Sequence, residues 1–119
     1  MSAHTFNQPI PQIDVDTFAA HRADTQEPLQ LVDVREPEEL AIASVDGFVS
    51  LPLSQFGEWS GKINTILDPT VETIVMCHHG MRSAQMCQWL MNQGFTNVKN
   101  LAGGIDAYAD VVDSSVPRY

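Results

Sequence analysis

The sequence predicts an α/β domain built on a small, mainly parallel sheet with helices on both faces, and three observations carry that prediction. Short apolar, β-branched runs alternate with segments of helical periodicity along the chain, the order that parallel sheets require. The two best runs, LQLVDV at 29–34 and TIVM at 73–76, are nearly continuous in apolar character, as strands buried on both faces are. With 119 residues, 44% of them hydrophobic and 18% charged, the chain has the size and usage of one ordinary domain that needs no disulfide or metal to hold its core. Residues 1–119 are therefore expected to form a single domain with its core at about 10–112 and with less ordered ends, residues 1–8 and 113–119.

Taken in order, residues 10–13 are a short apolar stretch broken by Pro11, which suits a sheet edge. Asp14 offers an N-cap for a helix over 15–22, where Val15, Phe18, Ala19 and Arg22 share a face. LQLVDV, bounded by Pro28 and the charged REPEEL, is a buried strand followed by a helix opened at Pro37, with Glu38 and Glu39 in the first turn where the dipole favours acid. FVSL at 48–51 makes a short strand after Gly47, and an irregular helical segment interrupted by Gly57 and Gly61 covers 52–67. TIVM is the central strand, and 82–93 is the clearest helix, stopped by Gly94. Val98 and its neighbours form a last strand, Gly103 and Gly104 a turn, and 105–111 a last helix.

Charge and leader signals exclude several classes of function. Six Lys and Arg against fifteen Asp and Glu give a net charge of -9 at pH 7, which repels nucleic-acid phosphates and anionic lipid. No apolar run approaches the roughly 20 residues of a membrane-crossing helix, and MSAHTFNQPI lacks the charged and apolar parts of a signal sequence, so a cytoplasmic protein with no membrane or nucleic-acid partner is expected. The two cysteines, Cys77 and Cys87, are too few for a disulfide framework; in a reducing compartment a thiol is more often buried, metal-bound or reactive.

Cys77 stands where the central strand ends and the clearest helix is about to begin. Strand, tight loop and helix start together gather main-chain N–H groups that lack intrahelical partners, and the helix dipole favours negative charge there. Gly80 frees the loop to turn its amides inward, Arg82 adds a cation at the rim, and Ser83 can donate a further hydrogen bond. These groups all favour an ionised sulfur at Cys77, which makes it the candidate nucleophile for attack on sulfur, phosphorus or arsenic. Four residues separate Cys77 from Arg82, a ring narrow for a tetrahedral phosphate and wide enough for one sulfur atom.

The other chemistry-bearing residues receive milder readings. Cys87 shares a helical face with Ala84, Leu90 and Met91 and is assigned to the core rather than to a resolving role. His78 and His79 line the mouth of the loop; adjacent residues converge poorly on one ion and no second ligand cluster shows in the sequence, so no metal is expected. A cation at a helix start opposes the dipole, so Arg82 needs an anionic partner, whether ligand or side chain. Asp33 and Arg35, with Glu38 and Glu39 nearby, read as a stabilising charge network beside the site. Trp59, Trp89, Phe95 and Tyr108 read as core or half-buried aromatics.

The segment CHHGMRS, from Cys77 through His78, His79, Gly80, Met81 and Arg82 to Ser83, resembles the cysteine-to-arginine active loop of the rhodanese-like sulfurtransferases in spacing and in glycine position. LVDVREPEEL at 31–40, GFVSLPL at 47–53 and GFTNVKNLAGGIDAY at 94–108 are similar to other motifs of that family, in the family's order. Ser44 departs from it, standing where many members have a histidine. The resemblance implies a rhodanese-like fold and a two-step reaction without a cofactor. Cys77 would take sulfane sulfur from a small anion such as thiosulfate, hold it as a persulfide bound among residues 78–83, and pass it to cyanide, a thiol or a protein acceptor. Two rivals stand beside this reading. One is a relay module serving a partner protein. The other is a cysteine phosphatase or arsenate reductase, whose loops in related proteins are one residue longer and commonly follow a histidine, where this chain has Met76.

Overall fold

A computed structural model describes residues 9–119. The stretch 1–8, with the readings made of it, lies outside the described residues. Five strands, β1 (Gln12–Ile13), β2 (Leu29–Asp33), β3 (Val49–Ser50), β4 (Glu72–Met76) and β5 (Val98–Leu101), form one sheet in the order β1-β5-β4-β2-β3. Every pairing is parallel, which sharpens the sequence reading of a mainly parallel sheet. β2 and β4 pair along their whole length, from Leu29 opposite Glu72 to Asp33 opposite Met76. Both strands therefore end at the same level, and the residues that follow them, Val34 and Cys77, leave the sheet next to one another.

Among the described residues there are six α-helices: α1 (Val15–Asp24), α2 (Pro37–Ile42), α3 (Phe56–Trp59), α4 (Ile63–Ile66), α5 (Met81–Asn92) and α6 (Gly104–Val111). Side chains alternate across a strand, so β4 sends Val75 to one face and Ile74 and Met76 to the other. Val75 joins Val32, Val34, Trp59, Ile63, Cys87 and Leu90 in a core under α3, α4 and α5. Ile74 and Met76 join Leu31, Phe18, Ile105 and Ala109 in a second core under α1 and α6. Helices on both faces are thus a consequence of two apolar sheet faces, each needing cover.

Element boundaries move where tertiary contacts decide them. α1 runs on to Asp24 because His21 is held by Glu72 at 2.7 Å and Arg22 by the main-chain oxygen of Asp46. Residues 52–67, read as irregular, resolve into a 3-10 turn at Leu53–Gln55, α3, a second 3-10 turn at Ser60–Lys62, and α4. Gly57 and Gly61 have open space around them and no packing to anchor a regular helix, so the segment is fixed by its buried Trp59, Ile63 and Leu67. Trp59, Trp89 and Phe56 pack edge to face at 5.1–5.8 Å, and the Trp59 indole donates to the Pro52 carbonyl at 2.9 Å. Phe95 is buried and Tyr108 partly so, as expected. α5 closes with Gly94 N–H on Met91 O and Phe95 N–H on Leu90 O, the stop read from Gly94. No helix among the described residues is long and apolar enough to cross a membrane.

Candidate functional site

The loop between β4 and α5 begins at Cys77, one residue past the strand, and closes at Gly80, which has φ +106. That left-handed conformation suits glycine, and a Cβ there would sit 3.3 Å from the Gly103 nitrogen. The start of α6 is pressed against the loop from the neighbouring strand. Ile105 N–H donates to Cys77 O at 2.9 Å and Asp106 N–H to His78 O at 3.1 Å. A Cβ on Gly104 would fall 2.4 Å from both accepting oxygens, so only glycine permits this approach.

Within this frame Cys77 Sγ accepts from Gly80 N–H at 3.0 Å and lies 3.3 Å from Ser83 Oγ. Cys77 is 1% exposed, and Ser83 is buried. Ser83 Oγ also bonds Asn100 Oδ1, so its single hydrogen is shared between that oxygen and the sulfur. Asn100, buried on β5, donates from Nδ2 to Gly80 O and to Gln12 Oε1, both at 3.0 Å. One side chain thereby fixes the two groups that face the sulfur.

Arg82 directs its fork at a carboxylate: Nη1 donates to Glu39 Oε1 at 2.7 Å and Nη2 to Oε2 at 2.9 Å. Those hydrogen bonds hold the Glu39 carboxyl down at about 2 and raise the Arg82 guanidinium further above its ordinary value. The anion demanded by a cation at a helix start is therefore a side chain of α2. Glu39 also receives Glu36 N–H at 3.0 Å and the Tyr119 hydroxyl at 2.9 Å. Arg35, fully buried, pairs through Nε and Nη2 with Asp33 at 2.8–3.2 Å and donates to Ala43 O at 2.8 Å. Asp33 and Arg35 form the charge network expected beside the site, extended by Arg35 Nη1 to the Tyr119 hydroxyl at 2.8 Å.

His78 stacks on the Tyr119 ring at 3.9 Å, and the His79 ring lies 3.8 Å beyond it. His79 Nε2 is 3.9 Å from Asp106 Oδ2. His78, His79 and Asp106 bring one potential ligand atom each within 4.8 Å of one another, a grouping hidden from the sequence because Asp106 arrives on α6. Asp106 is already engaged by Arg118 through two contacts of 3.1 Å. Met81, beside the loop, is 80% exposed. Cys87 lies in the core as expected; burial first, and then the neighbouring Cys77, push its thiol up to about 12. The sequence reading missed Asn100 and Tyr119, and missed Glu39 as the partner of Arg82. An asparagine within the otherwise strand-like VKNL was the only visible signal among these.

A fully parallel sheet flanked by helices, with a buried cysteine between its central strand and a helix, defines an α/β protein. The chain belongs to the Rhodanese-like domain family, whose model matches residues 14–110. It is 44% identical over 114 residues, 94% of the chain, to the rhodanese-like/PpiC domain-containing protein 12, chloroplastic, of Arabidopsis thaliana, of which it spans 38%. It is 35% identical over 100 residues to a sulfurtransferase of Allochromatium vinosum, covering 84% of this chain and 89% of that one. The crystal structure of a rhodanese-like domain protein from Staphylococcus aureus shares the fold, with a TM-score of 0.74 at 23% identity over 92% of this chain and 99% of that one. At the level of the family, membership supports sulfur-transfer chemistry.

Proposed function

We propose that residues 1–119 act as one domain that transfers sulfane sulfur through Cys77. The observation that carries the reading is a buried sulfur met by Gly80 N–H at 3.0 Å and Ser83 Oγ at 3.3 Å just before a helix start. Donors fixed in place before reaction stabilise negative charge without reorganising. In the first step the Cys77 thiolate attacks the outer sulfur of thiosulfate. A sulfur–sulfur bond forms, the donor's own sulfur–sulfur bond breaks, and its electron pair leaves with sulfite. The persulfide that remains carries its charge on the terminal sulfur, within reach of the loop formed by His78, His79, Gly80, Met81, Arg82 and Ser83. In the second step cyanide or a thiolate attacks that sulfur, and the pair in the broken bond returns to Cys77. The two steps balance without a cofactor.

Arg82 serves here as the cation that, paired with Glu39, keeps the loop's far end in place and contributes to the field felt by an incoming anion. A protein thiol as the acceptor is the second reading, supported by Met81 standing 80% exposed beside the loop. The deciding experiment is intact mass after incubation with thiosulfate. The wild type is expected to gain one sulfur that cyanide removes, and Cys77→Ser to gain none. An unmodified wild type, or Cys77-dependent turnover of a phosphotyrosine analogue without sulfur loading, would overturn the proposal.

A further inference from the structure

Residues 113–119 return to the carboxyl end of the sheet and are tied there by their own contacts. Ser115 bonds Asp113 Oδ1 through N–H at 3.0 Å and through its hydroxyl at 2.6 Å, and Val116 is buried. Arg118 forks onto Asp106 at 3.1 Å and reaches Asp110 at 3.3 Å. Tyr119 then meets both ends of the Cys77 loop. Its ring lies parallel to His78, 3.9 Å away at 5°, and its main-chain oxygen is 2.8 Å from His78 Nε2. Its hydroxyl accepts from Arg35 Nη1 at 2.8 Å and donates to Glu39 Oε2 at 2.9 Å, and Glu39 holds Arg82. His78 follows Cys77, and Arg82 lies in the first turn of α5 after the loop, so Tyr119 links the two rims, its ring on His78 and its hydroxyl on the partner of Arg82.

The contacts are those of a removable part. Tyr119 is 36% exposed, and both side chains that its hydroxyl touches keep another partner when it leaves: Arg35 keeps Asp33 and Ala43 O, and Glu39 keeps Arg82. Cys77, by contrast, is 1% exposed and must be reached by whatever reacts with it. We infer that Tyr119 is a specificity-determining residue that narrows the approach to Cys77, admitting slender sulfur donors and acceptors and excluding bulky ones until the 113–119 segment lifts. What is admitted rests on the sulfur-transfer reading; the narrowing itself does not.

The test is therefore made on the thiol. Second-order rates of Cys77 alkylation, assigned by peptide mass mapping, are measured with iodoacetamide and with a pyrene maleimide for the wild type, Tyr119→Ala, Tyr119→Phe and Arg118→Ala. Tyr119→Ala is expected to speed the bulky reagent about tenfold while changing the small one by less than about twofold, as loss of a latch of two charge-assisted hydrogen bonds allows. Tyr119→Phe keeps the ring on His78 and gives a smaller gain, about threefold. Arg118→Ala frees the segment from Asp106 and shifts the same ratio the same way with Tyr119 intact. Equal acceleration of both reagents, or no change in either, overturns the assignment. Loading from thiosulfate is followed in the same four proteins. Normal loading with an unchanged alkylation ratio sinks the Tyr119 inference alone; absent loading sinks the sulfur-transfer reading, while the ratio still decides whether Tyr119 guards the thiol.

Discussion

At Glu39 three donors converge on one carboxylate: the Arg82 fork, the Tyr119 hydroxyl and the main-chain N–H of Glu36. The hydrogen bonds from Arg82 come first among the causes that lower this carboxyl from its ordinary 4.5 to about 2. A folded-state value below the unfolded one means that the ionised form favours folding. That contribution is complete above about 4.5 and is lost as pH falls toward about 2. Glu39→Gln should therefore lower the melting temperature by a constant amount near neutral pH. The gap between variant and wild type should close between those two values in a pH series followed by circular dichroism. Its size is about 1 kcal/mol, since the Arg82 side chain is 35% exposed and the pair is screened by water. A gap that stays constant down to pH 2 would show that Glu39 does not act through its charge. That Gly80 and Ser83 face Cys77 was legible in the sequence because the three lie within one short stretch. The bonds of Arg82 to Glu39 and of Tyr119 to Arg35 were not, because those partners lie far apart in the chain and meet only after the strands align.

Among the elements, β5 shapes the loop without belonging to it. Asn100 reaches from that strand to Gly80 O, Ser83 Oγ and Gln12, joining β1, the loop and α5. Asn100→Leu leaves the Gly80 carbonyl and the Ser83 hydroxyl in an apolar setting with fewer partners. A loss of about 1–3 kcal/mol is expected, read as a lower urea midpoint at unchanged slope. Thiosulfate loading should slow about tenfold as the donors to Cys77 lose their anchor. Full-speed loading in a folded Asn100→Leu protein would show that the loop holds its shape alone. The strands were readable because β2 and β4 are buried on both faces and so carry continuous apolar runs. Residues 52–67 were less readable: their structure comes from the burial of Trp59, Ile63 and Leu67 against the sheet, and intrinsic helix preference there is weak.

For the molecule as a whole, the net charge of -9 sets the approach of small anions. A dianionic donor is repelled at long range, and salt screens that repulsion over about 10 Å at 0.1 M. Loading by thiosulfate should therefore quicken severalfold as ionic strength rises toward that value, while loading from an uncharged dialkyl trisulfide stays level. A rate that falls with salt would mean that the local field at the loop outweighs the net charge. Fold class was evident from alternation, the two apolar runs and the size of the chain. The order β1-β5-β4-β2-β3 was not, since nothing in single segments says which neighbour each strand chooses.

The glycine at 104 carries a further consequence. Because α6 clamps the carbonyls of Cys77 and His78, the shape of the loop depends on the contact with the start of α6, which only a glycine at 104 permits. The frame around Cys77 is thus made by tertiary docking, and the loop's own residues supply only part of it.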